Sequence, residues 1–139
     1  MADIVVTAAQ VGVVNPAECE IHDFIAAAAI TAGQAVYLTS SGTVNLADAN
    51  AAGLQQFRGI ALKSVGAGQP VSVLKRGRVY GFTISGLAYD AAVYLSDTAG
   101  ALADAVGTMT VNCGRVTALT DPGKTKVLYI EADWLRTWS

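Results

Sequence analysis

Residues 35 to 49, Ala35-Val36-Tyr37-Leu38-Thr39-Ser40-Ser41-Gly42-Thr43-Val44-Asn45-Leu46-Ala47-Asp48-Ala49, return in near copy as Ala92-Val93-Tyr94-Leu95-Ser96-Asp97-Thr98-Ala99-Gly100-Ala101-Leu102-Ala103-Asp104-Ala105. The AVYL elements lie 57 positions apart and the LADA elements 56, so a single deletion in the intervening turn reconciles the copies. Within the first copy, Val36 and Leu38 fall on one face and Tyr37 on the other, the period of a strand. Ser40-Ser41-Gly42 supplies a tight connection, so the pair reads as a β-hairpin. Downstream, Gly59-Ile60-Ala61-Leu62-Lys63 with Pro70-Val71-Ser72-Val73-Leu74 matches Gly114-Arg115-Val116-Thr117-Ala118-Leu119 with Lys126-Val127-Leu128-Tyr129-Ile130.

Each half thus reads strand, turn, strand, loop, strand, turn, strand. A repeated supersecondary unit of this length buries its apolar face against its twin, which predicts one domain with approximate internal two-fold symmetry. The halves run over about 30–84 and 87–133, in a duplicated β domain of residues 30–139. Short strands at regular spacing, glycine-rich turns and no amphipathic helix of ten residues predict an all-β fold, a small barrel or sandwich of β-tulip-like or jelly-roll-like form. Residues 1–29 stand outside the repeat as an extended N-terminal arm. Its Ile4-Val5-Val6-Thr7 is β-branched and suited to pairing with a free sheet edge, its own or a neighbour's.

With 139 residues the chain suits one domain and is long enough to bury roughly two thirds of its unfolded surface. Charged residues are 14% against a usual figure of about 25%, and hydrophobic residues reach 53%, so homo-oligomerisation is expected to cover apolar surface. Nine basic and eleven acidic residues leave a net charge of −2, which is not the electrostatic footprint of a nucleic-acid binder. The longest apolar run, Phe24 to Ile30, is far short of the roughly 20 residues of a membrane span, so no membrane partner is expected. The start has no basic region followed by a long apolar core, and expression in a cytoplasm is expected.

No constellation predicts catalysis, a cofactor or a metal. Cys19-x-x-His22 has ligand spacing, but a zinc site needs three or four ligands and Cys113 alone would complete it. The two cysteines read as buried small apolar residues, with a bridge between them left open. Asp48 and Asp104 lack the Asp-Thr-Gly or Asp-Ser-Gly loop of an aspartic-protease dyad; they recur because a carboxylate at a strand end accepts backbone N–H bonds. Lys75, Arg76 and Arg78 flank Gly77, read as a strand turn, and could meet an acidic protein surface. Of the two terminal tryptophans, Trp134 is expected in the core. Trp138 joins Ile4, Val5, Val6, Lys75, Arg76 and Arg78 as the candidate partner-binding residues.

An ordered series of segments resembles the head decoration, or capsid cement, proteins of tailed bacteriophages: Met1 to Ala9, Ile30 to Leu38, Leu46 to Ala52, Arg58 to Leu62, Ala67 to Val71 with Val73-Leu74, and Ala92 to Ser96. The resemblance implies a non-enzymatic virion protein, present in the host cytoplasm during assembly. It implies binding to the outer surface of the capsid, often as trimers and sometimes as dimers, clamping neighbouring major capsid protein subunits. The chain departs from the family in the Glu18 to Ala29 region and in its tryptophan-rich end. The rival readings are a head-fibre base or tail adaptor, and a carbohydrate-binding β module displaying Tyr37, Tyr80, Tyr89 and Tyr94 on one face.

Overall fold

A computed structural model describes residues 2–138; Met1 and Ser139, the ends of the expected arm and domain, lie outside the described residues. The chain is nearly all β. In order it forms β1 (Gly12–Val13), β2 (Glu20–Ala26), β3 (Ala35–Leu38), β4 (Thr43–Leu46), β5 (Phe57–Ala61), β6 (Pro70–Tyr80), β7 (Ala92–Leu95), β8 (Leu102–Ala103), β9 (Asn112–Ala118) and β10 (Lys126–Glu131). Two single-turn 3-10 helices, Ala8–Gln10 and Pro16–Glu18, interrupt the N-terminal segment. Asn15 caps the second by accepting a bond from the Ala17 N–H. No helix among the described residues is long and apolar enough to cross a membrane.

The first half pairs in the order β4-β3-β5-β6 and the second in the order β8-β7-β9-β10, with every one of these pairs antiparallel. Both halves carry a register shift at the same point of the repeat, between Val36 and Tyr37 and between Val93 and Tyr94. Opposite each shift sits a glycine, Gly59 or Gly114. A Cβ on Gly59 would strike the Leu74 carbonyl and one on Gly114 the Tyr129 carbonyl, so the bulge draws neighbouring backbones too close for a side chain.

Segments from outside the repeat complete both halves. β2 joins β6 in antiparallel and β4 in parallel, closing β2-β4-β3-β5-β6 into a five-stranded barrel. Its interior is filled by Ala26, Val36, Val44, Ala61, Val71 and Val73. Residues 2–7 bridge the second half: Asp3 pairs with Ala103 on β8 and Val6 with Phe82 just beyond β6. Ile4 N–H donates to Leu102 O at 2.8 Å, and Thr7 N–H to Gly81 O at 2.8 Å. The extended segment therefore pairs with an edge of its own chain, where strand ends would otherwise leave backbone groups unsatisfied.

Three sequence expectations change. Gly77 is not in a turn: β6 runs unbroken through it for 11 residues, with φ +144 and Cys19 packed where a Cβ would stand. The pairing of Ile60 with Leu74, and of Arg115 with Tyr129, makes Tyr129 the counterpart of Leu74, one residue from the match suggested by sequence; a one-residue slip reverses which face a side chain takes.

The halves are also not related by a two-fold. Ala35, Ile60 and Leu74, on the outer face of the first barrel, share one core with Val93, Val116, Leu128 and Ile130 of the second half. The repeat-equivalents of Val93, Val116 and Leu128 are Val36, Ala61 and Val73, inside the first barrel. One lobe thus offers its outer face and the other its inner face, a head-to-tail contact instead of the same-face contact a two-fold requires.

Candidate functional site

The expected partner-binding residues are not gathered in one place. Ile4 is buried in the shared core, Val6 is half-buried, and Val5 alone is well exposed, at 65%. Trp138, grouped from sequence with partner-facing residues, is instead 8% exposed and tied to its own chain. Its backbone N–H donates to Gln56 Oε1 at 2.9 Å, and its backbone carbonyl accepts from Gln55 Nε2 at 3.0 Å and Gln56 Nε2 at 2.8 Å. Arg136 covers its ring at 4.2 Å from the centroid.

The basic group is largely engaged by the acidic residues that precede and open β2. Arg78 Nη2 lies 2.6 Å from Glu18 Oε2, Lys75 Nζ 3.3 Å from Glu20 Oε2 and Arg76 Nη2 3.2 Å from Glu20 Oε1. His22 Nε2 completes the set at 2.8 Å from Glu20 Oε2. The His22 hydrogen bond, followed by Lys75 and then Arg76, holds the Glu20 carboxyl below its ordinary range. These cations therefore form an internally matched patch.

Trp134 caps this patch; expected in the core, it is only half-buried and packs against the shared core from its edge. Its indole N–H donates to Arg58 O at 2.8 Å. His22 lies 4.7 Å and Phe24 6.1 Å from it, centroid to centroid, while Arg58 and Lys75 approach its ring within 5.2 and 5.1 Å. Phe24 in turn packs on the barrel interior, so Trp134 lies between the shared core and the side chains at the start of β2.

The remaining reactive side chains have structural partners. Cys19 and Cys113 are free thiols, one half-buried and one buried, and burial pushes the Cys113 thiol well above its ordinary range. Asp48 accepts from Asn50 N–H at 2.8 Å, the turn role expected of it, whereas Asp104 accepts from Ala2 N–H at 2.9 Å and ties the N-terminal segment to the second lobe instead. Among the described residues, no three of His, Cys, Asp and Glu gather as a metal-binding group. Of the tyrosines, Tyr80 and Tyr89 are exposed, while Tyr37 and Tyr94 are half-buried.

Two surfaces escaped the sequence reading. Ile21 and Ile25, 39% and 43% exposed, lie on the outward face of β2 on either side of Asp23, and Leu135 near the C-terminal end is 98% exposed. No strict polar-apolar alternation marks them in the sequence, because His22-Asp23 and Phe24-Ile25 break the period. The second surface is a cavity of about 250 Å³ on the outer face of β9 and β10, lined by Asn112, Arg115, Tyr129, Glu131, Asp133 and Trp138. Comparison of the chain with protein-family models, with curated proteins and with solved structures finds no match.

Proposed function

We propose that this chain is a non-enzymatic structural virion protein that binds the outer surface of a tailed-phage head and cements neighbouring major capsid subunits, acting as a homo-oligomer with the trimer favoured. The observation that carries the reading is the ordered series of decoration-protein-like segments. They fall on the turn into β3 and β3 itself, on β5, on β6 and on β7, the staves of both lobes. Support also comes from how the polar side chains are used. Carboxylates are occupied by backbone N–H groups and arginines, and the apolar side chains left exposed at Val5, Ile21, Ile25 and Leu135 suit adhesion.

A rigid β module that binds the assembled shell more tightly than free subunits stabilises the assembly by mass action, by about 4 kcal/mol per site at a thousandfold excess over its dissociation constant. Many copies act together across the shell. The test is co-sedimentation with expanded heads of the phage that carries the gene. Saturable binding at a fixed ratio to the major capsid protein, with heads that resist higher temperature, is the expected result. Protein that stays in the supernatant at micromolar concentration overturns the reading.

A further inference from the structure

We infer that the cavity on the outer face of the second lobe is a binding site for a small hydroxyl-rich ligand, a mono- or disaccharide. The inference goes beyond cementing and does not depend on it. It begins with the repeat. The bulge-and-glycine geometry that shapes β3, β5 and β6 shapes β7, β9 and β10 in the same way. In the first lobe the outer face of these strands is filled: Phe57, Ile60 and Leu74 are 2%, 0% and 0% exposed under the second lobe. At the equivalent register positions of the second lobe stand Asn112, Arg115 and Tyr129, and no third lobe covers them. Three apolar side chains have become three that carry hydrogen-bonding groups, over a concavity the fold builds in either case.

The lining chemistry selects the ligand. Arg115 and the Asn112 amide offer donors; Glu131, Asp133 and the Asn112 carbonyl offer acceptors. A hydroxyl group both donates and accepts, so a polyol can satisfy this mixture where a purely anionic or cationic group cannot. The side chains are already oriented: Tyr129 O–H donates to Glu131 Oε1 at 2.7 Å, and Arg115 Nη1 donates to the Asp90 carbonyl at 2.8 Å and lies 3.7 Å from the Asp90 carboxylate. Trp138 supplies an independent observation. Its indole N–H is buried and, among the described residues, has no hydrogen-bond partner, while the ring lines this cavity. A buried donor without an acceptor is costly, and a ligand hydroxyl oxygen in the cavity would relieve it once a small shift of the ring opens the N–H to it. One arginine against two carboxylates gives the lining a formal charge of −1, which disfavours phosphate and nucleic acid. At about 250 Å³ the cavity sits just below the range of drug-sized pockets, which fits one or two sugar rings.

The two tryptophans make the site directly observable, because Trp134 N–H is held on the Arg58 carbonyl and serves as an internal control. The full chain, labelled with nitrogen-15, is titrated with glucose, galactose, mannose, N-acetylglucosamine and their common disaccharides to millimolar concentration. The expected result is saturable movement of the Trp138 indole signal by at least one sugar, with Trp134 unmoved. Arg115→Ala, at an exposed side chain that leaves the core intact, should weaken that binding by about tenfold, the value of one charged hydrogen bond. Tyr129→Phe should weaken it by a few-fold, and Ser41→Ala, in the turn between β3 and β4 of the first lobe, should leave it unchanged. The inference is overturned if no sugar moves the Trp138 signal, if both indoles move together, if Arg115→Ala binds as the parent does, or if a lysine-rich peptide moves Trp138 and no sugar does.

Discussion

The two lobes share a strand order, a bulge and a bulge-facing glycine, yet they differ in what their outer faces meet. In the first, both faces of the β3-β5-β6 wall are dry: Val36, Ala61 and Val73 fill the barrel, and Ala35, Ile60 and Leu74 fill the core between lobes. In the second, the inner face is as apolar, with Val93, Val116 and Leu128, while the outer face carries Arg115 and Tyr129. A head-to-tail stack of repeats has no natural end, since each outer face could receive another inner face. Here the polar outer face of the second lobe ends the stack, the role a capping repeat plays in a solenoid. The closing strands differ too. The first lobe is sealed by the seven-residue β2, the second by residues 2–7 through isolated bridges.

The contrast breaks most sharply at Leu74 and Tyr129. Leu74→Ala should cost about 3 kcal/mol by opening a cavity in the shared core, whereas Tyr129→Ala should cost about 1 kcal/mol. Equal losses in chemical denaturation would mean that the faces are not inequivalent. Next in size is the seal of the second lobe. Ile4→Ala should cost about 2 kcal/mol, and amide hydrogens of Ile4 and Thr7 should exchange well before those of β2. Slower exchange in residues 2–7 than in β2 would reverse the order of the two seals.

The smallest effect is in alkali. Burial, and then the hydrogen bond to Glu131, push the Tyr129 phenol up to about 12. An unfolded tyrosine gives up its proton near pH 10, so between about 10 and 12 the unfolded chain holds fewer protons and stability falls as pH rises. Tyr129→Phe should flatten that part of the stability profile; an unchanged slope would show that this phenol does not carry it.

Much of this was legible in the chain. The AVYL and LADA echoes located β3, β4, β7 and β8, because alternation and turn residues act over a few positions and need no distant partner. Asp48, which accepts from Asn50 two residues on, was legible for the same reason, whereas the bond of Asp104 to Ala2 spans most of the chain and was not. The change from Ile60 and Leu74 to Arg115 and Tyr129 was also written there, but it is visible only once the register is known, and a one-residue offset hid it. The charge on Lys75, Arg76 and Arg78 was legible, whereas its neutralisation by Glu18 and Glu20 was not. Those carboxylates arrive from a strand more than fifty residues away in the chain.

By itself the sequence determined that the protein is all-β, duplicated and stitched by short turns, since those properties follow from local side-chain period and backbone preference. Only the tertiary structure decided that the copies stack head-to-tail, that residues 2–7 and β2 each close a lobe, and that Trp134 packs over His22 and Lys75 while Trp138 is buried beside an open cavity. The physical reason is that burial belongs to the pair of surfaces that meet. An inward-facing valine in one lobe and its counterpart in the other look alike until the fold chooses what each one packs against.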